Sequence, residues 1–272
     1  MIRTIWVALN VIVATVPLSL VAIGAALLGV RGSLYDRLAR IWSRWALWAS
    51  GTRVRVDGAE HIRSDAPKII VSNHQSWYDV FALAANIPGR YRFVAKQELG
   101  RIPLFGRAWR VAGHISVDRA DRQTAIRSLE DAGRTIRDDN SSIVIFPEGT
   151  RSATGELLPF KKGAFMLAIN MGVDIVPTGV SGGRSILAKG DWRVHSGEIV
   201  VRFGEPIPTA AYSENNREAL IARVRAEVQR LSRARVEAGG GDGGRAHMRA
   251  LRDRARGRPD GRVVEDPSTA ET

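Results

Sequence analysis

The chain has 272 residues, room for one α/β domain of ordinary size plus extensions. It has no cysteine, which excludes disulfides, thiolate metal sites and a cysteine nucleophile. The formal net charge is +12, and Lys68, Lys96, Lys161, Lys162 and Lys189 are the only lysines, so arginine carries a positive balance that favours anionic partners such as a phospholipid surface, phosphate esters or an acidic carrier protein.

Ile5 to Val30 contains no charged residue. Such a run can span a hydrocarbon core of about 30 Å. Pro17 sits mid-run and implies a kinked spanning helix or two shallow arms. Arg3 precedes the run, while Arg31, Arg37, Arg40 and Arg44 follow it. The positive-inside bias therefore places the rest of the chain on the cytoplasmic face of a cell membrane. A secretory signal fits poorly, because no A-x-A cleavage pattern follows. Trp42, Trp45 and Trp48 are then interleaved with Arg37, Arg40 and Arg44. That mixture suits a helix at headgroup level, or one packed on a soluble core.

From Arg53 the pattern becomes globular. Apolar and β-branched runs predict strands over Arg53–Asp57, Lys68–Ser72, Tyr91–Ala95, His114–Val117, Ser142–Phe146, Ile175–Val180 and Glu198–Phe203. Between them helices are predicted over Trp77–Asn86, Gln97–Ala112, Arg122–Asp138, Lys162–Met171 and Ser213–Val236. This alternation implies an α/β fold with a mixed, largely parallel sheet flanked by helices, preceded by an N-terminal membrane-associated helical segment. A glycine-rich break at 238–244 opens a Gly/Arg-rich stretch over 238–272 that composition marks as disordered.

Two short strings each follow a predicted strand. Asn73-His74-Gln75-Ser76-Trp77-Tyr78-Asp79 holds an imidazole with a carboxylate five places on. If Ser76 caps a helix, Asp79 can fold back to accept the second imidazole N–H and fix the tautomer of a general base. Taken alone, the pair also fits a histidine at a strand end and an aspartate in a helix's first turn. No Gly-x-Ser-x-Gly elbow surrounds Ser76, so it is read as helix support with Asn73, not as a nucleophile. Phe146-Pro147-Glu148-Gly149-Thr150-Arg151-Ser152 places a carboxylate and a guanidinium in a turn that Gly149 allows to bend sharply. Arg151 can grip phosphate oxygens in a bidentate fork.

Together these strings resemble motifs of the 1-acylglycerol-3-phosphate acyltransferase family of glycerolipid acyltransferases. Lys96-Gln97-Glu98-Leu99, Pro103, Gly106, Gly113 and Asp118-Arg119 extend the resemblance, as does Val173 to Val180 with Pro177. It implies His74 as base and Asp79 as its partner. It implies Glu148, Gly149, Thr150, Arg151, Lys96 and Arg119 as substrate-binding residues, and a packing or donor-positioning role for Pro177. The family usually shows a bulky apolar residue and isoleucine before Asp118-Arg119; here Ser116 and Val117 stand there, a departure that bears on acceptor identity. Without the family, Lys96 and Arg119 also read as solvated charges at strand ends.

The resemblance implies an O-acyltransferase using acyl-CoA or an acyl carrier protein as donor and 1-acylglycerol 3-phosphate as acceptor, giving phosphatidic acid. Residues 1–50 are then membrane-anchoring and interfacial helices, 51–237 the catalytic domain and 238–272 the tail. No metal, bound cofactor or nucleic-acid partner is expected. Three other readings remain open. The same chemistry would serve another lysolipid, such as a lyso-ornithine lipid. His74, Asp79 and Glu148 would make a sparse metal set for a hydrolase. The basic tail would suit a non-catalytic protein that binds anionic membranes.

Overall fold

The structure, a computed structural model, describes residues 1–62, 66–118, 128, 131–134 and 137–233. Helix α1 (Ile2–Leu27) continues through Pro17, so the two-arm arrangement does not form. Its inward stripe is small (Val7, Ala14, Ser19, Ala22), whereas Ile5, Leu9, Ile12, Val13, Leu20 and Val21 are exposed. By length and composition it could cross a membrane. Helix α2 (Leu34–Ala49) runs back along it. Trp6 Nε1 donates to Ala49 O at 3.1 Å, and Trp42 Nε1 to Thr15 Oγ1 at 2.8 Å. The two readings of this segment hold on different faces of α2. Trp42 packs edge-on against Phe81 at 5.1 Å, while Ile41, Trp45 and Trp48 stay exposed.

Among the described residues, seven strands form one sheet in the order β1-β7-β6-β2-β5-β3-β4. They are β1 (Thr52–Asp57), β2 (Ile69–Ser72), β3 (Tyr91–Lys96), β4 (Ile115–Val117), β5 (Ser142–Ile145), β6 (Ile175–Ser181) and β7 (Gly197–Phe203). Each predicted strand is present within one residue at either end. All neighbours are parallel except β6 and β7. Central β2 is buried along its whole length, as a parallel strand covered on both faces must be. Its pleat divides the core: Ile70 joins Val144 and Val176 on one face, Ile69 and Val71 join Ile143 and Ile175 on the other.

Helix α3 (Trp77–Asn86) follows β2 with the predicted limits. The helix expected over Gln97–Ala112 is divided into a 3₁₀ helix, Gln97–Arg101, and α4 (Phe105–Val111). Pro103 explains the division. It keeps Ile102 extended (φ −65°, ψ 125°), and Leu104 beyond it takes φ 59°. Helices α5 (Gly163–Met171), α6 (Gly183–Ile186) and α7 (Arg217–Arg233) follow, with α7 preceded by a 3₁₀ turn at Glu214–Asn216. The single turn of α6 was too short to leave a periodic signal. The expected helix Arg122–Asp138 lies largely outside the described residues, and the stretch 238–272 lies wholly outside them.

One ion pair ties α2 to the sheet. Arg92 Nη1 donates to Asp36 Oδ1 at 2.7 Å, with both side chains at or below 3% exposure. Tyr91 N–H also reaches Asp36 Oδ1, at 3.4 Å. Removing Asp36 leaves the buried Arg92 guanidinium with the longer 3.5 Å contact to the exposed Asp139 carboxylate, a poor substitute for a buried partner. Asp36→Ala is therefore expected to destabilise the fold by about 3 kcal/mol or more. A denaturant titration in detergent reads this directly. An unchanged midpoint would mean that the pair does not anchor α2.

Candidate active site

Strands β2, β5 and β3 are parallel neighbours, so their carboxyl ends share one edge of the sheet. His74 follows β2, the Phe146–Ser152 string follows β5, and Lys96 ends β3. Sites gather at such edges because the loops there converge.

Ser76 is the N-cap of α3. Its Oγ accepts the Tyr78 N–H at 3.2 Å, while Asp79 accepts the Ser76 N–H at 2.7 Å. This capping box turns the Asp79 carboxylate back toward His74. Asp79 Oδ2 lies 3.1 Å from His74 Nδ1 and also accepts the Gln75 N–H at 2.6 Å. The Asp79 side chain is 1% exposed. A buried carboxylate at Nδ1 favours the tautomer with its proton there, leaving Nε2 as the basic nitrogen. The ring is also stacked on Phe146, 4.0 Å between centroids. Asn73 fixes the chain just before His74: its side chain both donates to Val180 O at 2.8 Å and accepts Val180 N–H at 2.7 Å.

His74 lines a cleft of about 430 Å³ together with Trp77, Lys96, Phe146, Thr150 and Arg151. The Arg151 guanidinium lies 5.2 Å over the Trp77 ring, and partial burial lowers its pKa. It forms no ion pair with a described residue, so its charge is available to an anion. Gly149 has φ 72°, and a Cβ there would lie 3.0 Å from Lys161 Cε. The positive φ is what calls for glycine here, since the flexible end of Lys161 could move aside. Lys96 pairs with Glu98 at 2.5 Å at the exposed rim. That contact lowers the Glu98 pKa.

Glu148 sits differently. Its Oε1 accepts the His74 N–H at 2.7 Å and its Oε2 the Leu158 N–H at 3.0 Å. Burial pushes its carboxyl up from the ordinary value, and both N–H contacts oppose that shift. Pro177 is buried within the sheet opposite Val71 and does not line the cleft. Arg119 lies outside the described residues.

A second, apolar cavity of about 90 Å³ adjoins the cleft and shares Trp42, Val80, Phe93, Phe105 and Trp109 with it. It runs between α1, α2, α3 and α4. His114 lines it, with Nδ1 accepting the Phe93 N–H at 3.1 Å. Burial, helped by the Arg92 charge, pushes the His114 pKa down to about 3, so this ring is neutral at physiological pH.

Residues 53–181 match the Acyltransferase family. The 1-acyl-sn-glycerol-3-phosphate acyltransferase alpha of Mus musculus is 34% identical over 209 residues, 76% of this chain and 73% of that protein. The chain belongs to the acyltransferase family. The enzyme of the same name from Homo sapiens is 38% identical over 175 residues, 64% of this chain and 62% of that one. The 1-acyl-sn-glycerol-3-phosphate acyltransferase of Cocos nucifera is 35% identical over 184 residues, 68% of this chain. This chain spans 58% of the Cocos protein's length and 62% of the human one's. The crystal structure of the 1-acyl-sn-glycerophosphate acyltransferase PlsC from Thermotoga maritima has the same fold. It superposes with a TM-score of 0.72 at 25% identity, covering 87% of this chain and 97% of that one.

At this site the sequence offered no signal for two residues that the structure brings in. Lys189 donates to Thr150 Oγ1 at 3.3 Å and to Arg151 O at 2.9 Å, steadying the turn from a glycine-flanked loop. Gly183 packs its backbone directly against Asp79; a Cβ there would lie 2.2 Å from Asp79 Oδ1.

Proposed function

We propose that this chain is a membrane-associated acyltransferase. It moves a fatty acyl group from acyl-CoA or an acyl carrier protein to the 2-hydroxyl of 1-acylglycerol 3-phosphate, giving phosphatidic acid. One observation carries the reading: an oriented imidazole and an arginine that forms no ion pair with a described residue line one cleft. The names of the relatives point to the same reaction.

The acceptor hydroxyl gives its proton to His74 Nε2 as its oxygen attacks the thioester carbonyl. Asp79 stabilises the imidazolium so formed. The tetrahedral adduct expels the thiolate, which takes the proton from Nε2. An ester bond replaces the thioester, and neither a metal nor a bound cofactor takes part. Arg151, with Lys96 and Thr150, holds the acceptor phosphate at the cleft mouth. The adjoining apolar cavity receives an acyl chain.

Contacts from Thr4, Trp6 and Thr15 tie α1 along the rest of the fold. A helix held this way offers its outer apolar face to one leaflet instead of crossing two. Exposed Trp45 and Trp48 suit the headgroup level, with the catalytic residues on the cytoplasmic face. The metal-dependent hydrolase finds no support: among the described residues, no group of three or more His, Asp or Glu could hold an ion.

Mass spectrometry of the lipid formed by purified protein, acyl-CoA and a panel of lysolipids tests the reading. Lyso-ornithine lipid belongs in the panel. Arg151→Ala is expected to raise the KM for 1-acylglycerol 3-phosphate at least about tenfold, as lost charged hydrogen bonds do. Equal transfer to an acceptor without phosphate would remove that role from Arg151.

A further inference from the structure

The family resemblance places Glu148 on the acceptor. Its surroundings point elsewhere. The side chain is 5% exposed, and both oxygens are occupied by main-chain N–H groups, those of His74 and Leu158. It does not line the cleft that holds His74 and Arg151. Instead it lines, with Asn73, Gln75, Gln229 and Ser232, a separate polar pocket of about 160 Å³. His74 lines the cleft, whereas its chain neighbours Asn73 and Gln75 line the polar pocket. The cleft and Glu148 thus meet this short segment through different residues.

The same turn grips His74 a second time. Ser152 N–H donates to His74 O at 2.8 Å, and Ser152 is buried. Both main-chain polar groups of His74 are therefore held by the Phe146–Ser152 string. Within that string the work divides by residue: Thr150 and Arg151 face the cleft, while Glu148 and Ser152 hold the base. We propose that Glu148 is a positioning residue that acts through the His74 main chain and does not bind the acceptor. Two N–H donors converge on one side chain, and only a carboxylate offers an acceptor oxygen to each. Glutamine would have to turn its NH₂ toward one of them, leaving that buried donor unsatisfied. The imidazole then loses the base on which the Asp79 contact and the Phe146 stack depend.

The inference rests on the acyl-transfer reading above, and kinetics of the full chain in detergent micelles separate the two. The substrates are acyl-CoA and 1-acylglycerol 3-phosphate. Glu148→Gln is expected to lower kcat about tenfold, with the acceptor KM within about twofold of wild type. Glu148→Asp keeps the charge but falls short of both N–H groups, and is expected to lose at least as much kcat. A raised acceptor KM at normal kcat in either variant would overturn the proposal. One readout needs no variant. The His74 amide of the substrate-free wild type should be strongly protected from hydrogen exchange. Rapid exchange there would also overturn it. A wild type that acylates no lysolipid would instead overturn the functional reading, whatever the amide shows.

Discussion

His74→Ala is expected to cut kcat by about 10³-fold or more while lysolipid and donor binding stay near wild type. The size follows from the chemistry. An alcohol is a poor nucleophile at neutral pH, and the cleft must remove its proton as the new bond forms. His74 Nδ1 is committed to Asp79 at 3.1 Å, and the ring plane is fixed by Phe146 at 4.0 Å. Nε2 is thus the basic atom that the arrangement delivers. His114 cannot replace it. That ring faces the apolar cavity, its Nδ1 is occupied, and its pKa is pushed down to about 3. Near-normal turnover in the variant, measured with saturating acyl-CoA, would mean that proton removal lies elsewhere.

The convergence of the two strings was legible because each follows an apolar run and parallel strands end on the same edge. What sequence could not tell was that β2 and β5 are immediate neighbours, which brings the His74 N–H within 2.7 Å of Glu148. The seven strands were readable because Val and Ile cluster in runs bounded by glycine, proline and polar residues. The Gln97–Ala112 segment was misread as one helix, since its apolar spacing is helical on both sides of Pro103. There the local constraint of proline on Ile102 prevails over periodicity. Side-chain direction was the harder matter. A string such as Phe146–Ser152 names its residues without saying which face the cleft and which face the base. That depends on the excursion from Pro147 to Lys161, closed by Lys161 N–H on Pro147 O at 2.9 Å, which brings Leu158 back to Glu148.

Gly183 shows the same limit most sharply, because its importance is purely spatial. It opens α6, far in sequence from Asp79, and no motif marks it. Yet a methyl group there would stand 2.2 Å from Asp79 Oδ1 and 3.1 Å from Ser76 Cβ. Contact below 3 Å cannot persist, so either α6 or the carboxylate must shift. The carboxylate is held by Oδ2, which accepts from Gln75 and Ser76 and faces His74 Nδ1. Displacing it disturbs the cap of α3 and the orientation of the imidazole together. Gly183→Ala is therefore expected to lower kcat about 10²-fold, the scale of a misplacement near 1 Å at a reacting centre. The acceptor KM should change little, since the Arg151 side of the cleft is not in the collision. Gly24→Ala is the matched control. Nothing lies within 4 Å of a Cβ there, and the position is helical, so activity should be unchanged. Wild-type kcat in Gly183→Ala would show that α6 can give way without moving Asp79, and that the carboxylate is positioned by its capping contacts alone.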